Sequence, residues 1–290
     1  MDYLFANPQA GAGHDANFWR EHLAAKGIDV GKRVITDPHG LGDLIADDRL
    51  LVAGGDGTMT LMAPRCVEVG CVMGVLPSGT GNDFARGLGI PLEPEDAVRL
   101  ISTGEPCKVD IGVAGDKPFL NVAHIGLGSE ISREVDDEDK HAWGRFSYLR
   151  RLFEQAWQHR GFSARIDCAG DVRHGRWLEI AIANGRSFGG GHEIVNATPF
   201  DGKLDVVAVR PRSLLQLLVN WLRMNLFRHS PADHVIVTMR GAECEISRCK
   251  RLVIMADGEE GGRVPERFHT RPAILRVIVP RAPAVPDVQR

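Results

Sequence analysis

Apolar and polar positions alternate along the first hundred residues in a way that predicts strands and helices in turn. Short apolar runs at DYLFAN, KRVIT, RLLVAGG and CVMGVLP are bounded by polar or glycine-rich segments, which favours buried strands. Between and after them, ANFWREHLAAKG and EPEDAVRLISTG carry apolar residues at helical spacing and end at Gly27 and Gly104. This alternation predicts a parallel α/β sheet with ligand loops at the carboxyl ends of its strands.

From about Cys107 the pattern changes to short β-rich runs separated by Gly, Pro and Asp. Such runs predict an antiparallel sandwich. They are KVDIGVA, KPFLNVAHIG, FSARIDCA, RWLEIAIANG, KLDVVAVRP, HVIVTMRG, ECEISRC, RLVIMADGE and AILRVIVP. Two helical stretches interrupt them, at roughly 141–158 and 213–228. We therefore predict an α/β plus β fold: an α/β domain over 1–107 and a β-rich domain over 108–290, with a cleft between them.

Composition and charge narrow the class of protein. The net charge of −3 gives no nucleic-acid signature. No apolar run reaches the roughly 18–20 residues that a membrane span needs, and the first residues show no basic and apolar secretion signal. The six cysteines form no CxxC pair, which favours scattered free thiols over disulfides or zinc. A cytoplasmic location is expected.

Four glycine-containing segments carry the candidate chemistry. NPQAGAG (7–13), GGDGT (54–58) and PSGTGNDFAR (77–86) each follow a predicted strand, and DGE (257–259) follows RLVIMA. Glycines let the backbone approach an anion closely, and exposed N–H groups before a helix attract phosphate oxygens. NPQAGAG could equally be a plain strand-to-helix turn. GGDGT has more backbone freedom than a turn requires.

Two aspartates stand inside these anion-binding loops. Asp56 and Asp83 would repel a phosphate unless a divalent cation or a reacting hydroxyl lies between them. The combination of glycine loops and aspartates indicates that the protein binds a Mg²⁺-nucleotide and transfers a phosphoryl group. Neither a P-loop nor a dinucleotide-binding GxGxxG pattern is present.

Taken together, these segments resemble the diacylglycerol kinase catalytic-domain family, which includes bacterial soluble lipid kinases, sphingosine kinases and ceramide kinases. The nucleotide loops NPQAGAG, GGDGT and PSGTGNDFARGLGIP match in order and spacing. Second-domain segments match in the same way: VDIG, NVAHIGLGSEI, ANGRSFGGGHEIVNATPFDGKLDVV and ADGE. The resemblance covers nearly the whole chain. It implies an ATP-dependent lipid kinase, with a lipid-acceptor domain over 108–290.

The resemblance and the glycine loops together define a predicted nucleotide site with ATP and Mg²⁺ as cofactors. Its residues are Asn7, Pro8, Gly11, Gly13, Thr36, Gly54, Gly55, Asp56, Gly57, Thr58, Thr60, Gly79, Thr80, Gly81, Asn82, Asp83 and Arg86. Arg86 is either a phosphate clamp or a member of a surface ion pair.

The resemblance also implies a proton acceptor at Glu259, with Asp56 as the alternative base. Asp110 either joins a catalytic Mg²⁺ network or is a strand-end turn residue. A structural Mg²⁺ in related enzymes is held by one aspartate and two backbone carbonyls, which corresponds here to Asp201 with Thr198 and Lys203. The usual KLDDG reads TPFDG in this chain, but the aspartate is kept.

The predicted partner is a diacylglycerol-like or sphingoid lipid presented by a membrane surface. The apolar stretch 213–228, SLLQLLVNWLRMNLFR, could make peripheral membrane contact, or it could be a helix buried in the second domain. The oligomeric state is open, with a homodimer as one option.

Two other functions stay open. NAD kinase also uses GGDGT, although PSGTGNDFAR is not its second motif. A nucleotide-binding regulator without kinase activity is suggested by Thr60 and Leu61, which stand where the family usually has Asn-Glu or His-Glu.

Overall fold

The structure is a computed structural model, and it describes residues 1–7, 14–31, 33–37, 40–126, 161–188, 192–194, 197–212, 235–248 and 252–281. Contacts divide the chain into a first unit, Met1–Val109 with the chain from Ala273 onward, and a second unit, Asp110–Pro272. The chain therefore crosses between units at 109/110 and again at 272/273, whereas the sequence predicted one boundary at 107/108. The helices predicted over 141–158 and 213–228 lie outside the described residues.

The first unit is built on a parallel sheet. Its strands are β1 (Asp2–Ala6), β2 (Val34–Ile35), β3 (Arg49–Gly54) and β4 (Val72–Pro77), in the order β2-β1-β3-β4. The last strand within the described residues, β18 (Glu266–Val279), pairs in parallel with β4 through Arg276 and Val277. The helices are α1 (Ala16–Ala25), α2 (Asp56–Val69), α3 (Asp83–Gly87) and α4 (Pro94–Thr103).

Apolar spacing and caps explain these elements. The central strand β3 buries Leu50, Leu51 and Val52, as expected for a strand covered on both faces. Helix α1 begins after Asp15, whose carboxylate accepts a hydrogen bond from the amide of Phe18 at 2.8 Å. It ends before Gly27, which has a φ of 75° that glycine adopts without steric cost.

The second unit is built from antiparallel strands. They are β5 (Glu105–Ala114, which starts in the first unit), β6 (Lys117–Phe119), β7 (Val122–Gly126), β8 (Phe162–Cys168), β9 (Asp171–Trp177), β10 (Glu179–Ala183), β11 (Ser187–Phe188), β12 (His192–Glu193), β13 (Leu204–Val209), β14 (Ile236–Gly241), β15 (Glu243–Ser247), β16 (Val253–Ala256) and β17 (Glu259–Arg263).

Two larger sheets form this unit. One places β15 between the first part of β18 and β8, with β9 outside β8. The other has the order β14-β13-β10-β7-β16-β17. A shared apolar core includes Phe119, Trp177, Phe268, Ile166 and Ile254, all fully buried. The predicted fold class, α/β followed by antiparallel β, is confirmed.

The expectation of free thiols is wrong for one pair of cysteines. The register of β15 and β8 brings Cys244 opposite Cys168, and the two form a disulfide. Cross-strand register is a long-range property that cysteine spacing along the chain does not reveal. Cys66, Cys71 and Cys107 are free thiols.

Within the described residues, no helix combines the length and the apolar character that crossing a bilayer requires.

Candidate active site

Three turns of the first unit lie at one edge of its sheet, because β1, β3 and β4 are parallel neighbours. The amide of Asn7, after β1, donates to the carbonyl of Ala53 at 3.0 Å, and the amide of Ser78, after β4, donates to the carbonyl of Gly54 at 2.9 Å. A Cβ built on Gly79 would lie only 2.5 Å from the Cα of Gly55. The second and third glycine loops therefore touch backbone to backbone.

Asp56 joins the same two loops through its side chain. Its Oδ2 accepts from the amide of Asp83 at 3.0 Å, and its Oδ1 accepts from the amide of Phe84 at 2.8 Å. These amides belong to the first turn of α3, which has no carbonyl partners for them within the helix. A carboxylate there also suits the positive end of the helix dipole. Asp56 thus caps α3 while standing as the first residue of α2.

The third loop is held in shape by Asn82. This residue has a φ of 51°, in the left-handed region, where asparagine is tolerated better than most residues. Its Nδ2 donates to the carbonyl of Gly79 at 2.7 Å, and its Oδ1 accepts from the amide of Gly79 at 2.9 Å. The loop is therefore a closed ring of hydrogen bonds before any ligand is considered.

The first loop is tied to the second by side chains. The Nδ2 of Asn7 donates to the Oγ1 of Thr58 at 2.9 Å, and Thr58 is buried in the first turn of α2. Trp19 of α1 donates from Nε1 to the Oγ of Ser78 at 3.2 Å. Asn7 and Thr58, both predicted from sequence, are thus in direct contact. Trp19 and Ser78 were not predicted, and their contact spans 59 residues of chain.

The other predicted nucleotide-binding residues of the first unit differ in their position and in their exposure to solvent. Thr36 is exposed after β2, Thr60 lies half-buried on α2, and Thr80 is exposed in the third loop. The exposed Arg86 donates from Nε to the carbonyl of Gly81 at 2.9 Å. This bond supports the shape of the loop. Pro8, Gly11 and Gly13 lie outside the described residues.

The side chains of Asp83 and Asp56 both lie close to Gly81 in space. A Cβ built on Gly81 would lie 3.2 Å from the Oδ2 of Asp56 and 3.4 Å from the Oδ2 of Asp83. Two carboxylate oxygens therefore approach one point beside the loop. Oxygen ligands of this kind are those that Mg²⁺ uses in proteins, usually one or two carboxylates together with phosphates. These residues fit a nucleotide-bound magnesium ion.

In the second unit, the DGE segment forms a turn organised by Asp257. The residue has a φ of 47°, and its carboxylate accepts three backbone hydrogen bonds: from the amides of Leu120 at 2.6 Å, Asn121 at 3.0 Å and Val122 at 3.0 Å. The amide of Asp257 in turn donates to the carbonyl of Val122 at 3.0 Å. The sequence singled out Glu259 here and missed this role of Asp257.

Asp257→Ala is expected to lower the free energy of unfolding by about 3 kcal/mol, because three part-buried amides lose their acceptor. Urea denaturation of the purified variant measures this. Asp116→Ala is the control, since Asp116 is an exposed aspartate in another turn of the same unit and should change stability by less than about 0.5 kcal/mol. Equal stability of the two variants would contradict the role given to Asp257.

Glu259 is the first residue of β17 and is exposed. It stands opposite Ala256 in the register of β16 and β17. The position leaves its side chain accessible from solvent, and its role as a proton acceptor stays a prediction.

Asp110 is almost fully buried, with 2% of its surface exposed. Its Oδ2 accepts from the amide of Gly202 at 2.7 Å, and its amide donates to the carbonyl of Pro199 at 2.8 Å. Its carbonyl accepts from Nδ2 of Asn184 at 3.0 Å. These contacts favour the turn-holding role that the sequence left open for Asp110.

Protein groups contact both carboxylate oxygens of Asp201, where the sequence predicted a structural magnesium with Thr198 and Lys203. The Oδ1 of Asp201 accepts from the amide of Lys203 at 3.1 Å, and its Oδ2 contacts the guanidinium of Arg240. A cation facing this carboxylate would meet N–H donors, so the residues present do not fit the predicted metal.

Asp205 is the third charged residue at this position, beside Asp201 and Arg240. The Nε of Arg240 lies 3.3 Å from the Oδ1 of Asp205, which stands directly opposite on the neighbouring strand. Burial raises the pKa of Asp205 to about 6; the attraction of Arg240 opposes this rise and the negative charge of Asp201 adds to it.

Comparison with known proteins gives two family matches. Residues 3–114 match the diacylglycerol kinase catalytic domain, and residues 121–279 match the YegS C-terminal NAD kinase beta sandwich-like domain. Relatives named "Probable lipid kinase YegS-like" include one from Pseudomonas syringae pv. syringae, 36% identical over 82% of this chain and 78% of its own length. Another, from Pseudomonas fluorescens, is 34% identical over 80% and 77%.

Solved structures with a similar fold include two from Bacillus anthracis strain Sterne. One aligns with a TM-score of 0.81 at 25% identity and covers 98% of both chains. The other, a crystal structure of a diacylglycerol kinase, aligns with a TM-score of 0.77 at 23% identity and covers 97% of both chains.

Proposed function

This chain belongs to the YegS-like lipid kinases with a diacylglycerol kinase catalytic domain, and we propose that it transfers the γ-phosphate of ATP to a hydroxyl group of a diacylglycerol-like or sphingoid lipid. As a lipid kinase it is a phosphotransferase with an alcohol group as acceptor. Membership of the family gives the lipid kinase activity; the donor ATP, the cofactor Mg²⁺ and the class of acceptor are proposed here.

One observation supports the proposal above the others: the second and third glycine loops are locked together at the carboxyl edge of the parallel sheet. The Asp56 side chain and the close approach of Gly55 to Gly79 produce this arrangement. The start of α2 then lies beside the third loop, and a helix start next to a glycine loop suits the phosphates of a nucleotide. Ligands of parallel α/β sheets generally bind at this edge.

We propose distinct roles for the carboxylates. Asp56 positions the third loop through the first turn of α3, and Asp83 lies beside it at Gly81. When bound there with ATP, Mg²⁺ would neutralise the charge that develops on the phosphates. Glu259 accepts the proton of the lipid hydroxyl. In-line positioning and charge neutralisation do most of the work in this class of reaction, and the base contributes the remainder.

The lipid acceptor is expected at a membrane surface, because acyl chains keep such substrates in bilayers. We therefore propose peripheral membrane contact during turnover. The apolar stretch 213–228 is the sequence candidate for it and lies outside the described residues. Because ATP is the proposed donor, we propose a cytoplasmic site of action and a role in lipid metabolism.

Labelled ATP tests the proposal directly. The purified protein is incubated with γ-labelled ATP and Mg²⁺ and, in separate reactions, with vesicles containing diacylglycerol, vesicles containing ceramide or sphingosine, and NAD. Label in a lipid phosphate is the expected result. Label in NADP would replace the proposal with NAD kinase activity, and tight ATP binding without any product would favour a regulatory protein.

Asp56→Ala is expected to weaken ATP binding about 5- to 30-fold, because losing a helix cap costs about 1–2 kcal/mol and leaves the loop less ordered. The Kd of Asp56→Asn for ATP should lie between the values of Asp56→Ala and the natural protein, since an amide oxygen still accepts one of the two hydrogen bonds. The measurement is the Kd for ATP by calorimetry. Asp47→Asn, at an exposed position of the same unit, is the control and should bind ATP normally; normal binding by Asp56→Ala would refute its positioning role.

A further inference from the structure

The turn over residues 198–203 carries a charged group that the proposed phosphoryl transfer does not use. It leads into β13, and Arg240 lies on the neighbouring strand β14. Sequence resemblance implied a divalent cation at this turn. The structure instead brings a permanently charged guanidinium to Asp201.

Arg240 binds two carboxylates at once. One amino group contacts the Oδ2 of Asp201, and the Nε lies 3.3 Å from the Oδ1 of Asp205. The register of β13 and β14 pairs Asp205 directly with Arg240, so strand geometry fixes this position. The planar guanidinium presents several donors in fixed directions, which suits two acceptors on different elements.

The rest of the turn is also held by protein groups. Its amide at Gly202 donates to the buried Asp110, and its carbonyl at Pro199 accepts from the amide of Asp110. The remaining oxygen of Asp201 accepts from the amide of Lys203 at 3.1 Å. Among the described residues, the carboxylate oxygen that is buried without a hydrogen-bond partner here is Oδ2 of Asp205. Both oxygens of Asp201 are therefore engaged by donors of the protein, and a cation at this carboxylate would have to displace Arg240.

We propose that Arg240 takes the place of the structural divalent cation in this chain, so that the 198–203 turn is held by an arginine bridging Asp201 and Asp205. A cation next to this guanidinium would be repelled by it and would have to compete for the same carboxylate. The turn is therefore independent of Mg²⁺, while any magnesium used in turnover enters with the nucleotide. This inference stands apart from the proposed kinase activity.

Thermal unfolding without nucleotide tests the inference. The natural protein should show the same Tm in EDTA and in millimolar MgCl₂. Arg240→Gln should lower the Tm by about 2–3 °C, because Asp201 and the more buried Asp205 then lack their partner. Arg267→Gln is the control: its side chain is 84% exposed in an ion pair with Glu245, and its Tm should stay within about 1 °C.

Two further measurements keep the test decisive. If Arg240→Gln does not fold, Arg240→Lys retains the charge without the planar fork and should show a smaller fall in Tm. The nucleotide-free natural protein and Asp201→Asn should give the same calorimetric titration with MgCl₂, because no Mg²⁺ binding is expected at Asp201. A Tm that rises with Mg²⁺ and no longer does so in Asp201→Asn would overturn the inference, as would an Arg240 variant with an unchanged Tm.

Discussion

Gly79→Ala is expected to lower the affinity for ATP by more than about 100-fold and to cost about 2–3 kcal/mol of stability. The added methyl carbon would lie 2.5 Å from the Cα of Gly55, closer than any real carbon contact. The obstructing atom is backbone, so no rotation of a side chain relieves the clash. The second and third loops must separate, and with them the amides that we propose to bind phosphate.

Ligand titration and urea unfolding measure the two effects of Gly79→Ala separately. Gly42→Ala is a matched control in the same unit, because a Cβ there meets no atom within 4 Å and the backbone is not in the left-handed region. It should bind ATP normally and be as stable as the natural protein or slightly more so. Normal ATP affinity in Gly79→Ala would mean that the nucleotide does not bind where these loops meet.

Local patterns in the sequence predicted most strands of the first unit and its helices α1 and α4. The apolar runs before Asn7, Gly54 and Ser78 are each a buried strand followed at once by a polar turn. The parallel direction of the strands could be anticipated because helices separate the strands along the chain. The meeting of the glycine loops followed from the same rule, since neighbouring parallel strands end at one edge.

Helix α2 is the clearest omission among the elements of that unit. It runs from Asp56 to Val69 with Pro64 inside it, and an interior proline usually ends or kinks a helix. The sequence pattern therefore gave no bounds for it. Burial of Met59, Met62 and Cys66 offsets the cost of the proline. The helix therefore forms through Pro64 because of its tertiary packing, although local helix propensity disfavours it.

Contacts between distant residues explain the rest of what sequence reasoning missed. Asp56 reaches amides 27 and 28 residues away, and Asp257 reaches amides 135 to 137 residues away. Arg240 and Asp201 are 39 residues apart. A residue type tells which bonds a side chain can make, but only the register of strands tells which partner it meets. For this reason the sequence could name Asp56 and Asp201 as candidates but could not name the groups that their carboxylates contact.

Glu259→Gln is expected to lower kcat by a factor of roughly 10² to 10⁴, the usual contribution of a general base, with the Kd for ATP unchanged. The substitution keeps the size and hydrogen-bonding reach of the side chain and removes its ability to take a proton at neutral pH. Since Glu259 is exposed at the start of β17, the change should leave stability within about 0.5 kcal/mol. Steady-state transfer of labelled phosphate to the lipid measures kcat, and calorimetry measures ATP binding.

The adjacent Glu260 provides the control for this prediction. It is exposed on the same strand, and successive side chains of a strand point to opposite faces. Glu260→Gln should therefore retain normal kcat, although both variants remove one negative charge from the same strand. Equal losses in the two variants would indicate a general electrostatic effect. An unchanged kcat in Glu259→Gln together with a large loss in Asp56→Asn would assign proton acceptance to Asp56, because only one of the two carboxylates need take the hydroxyl proton.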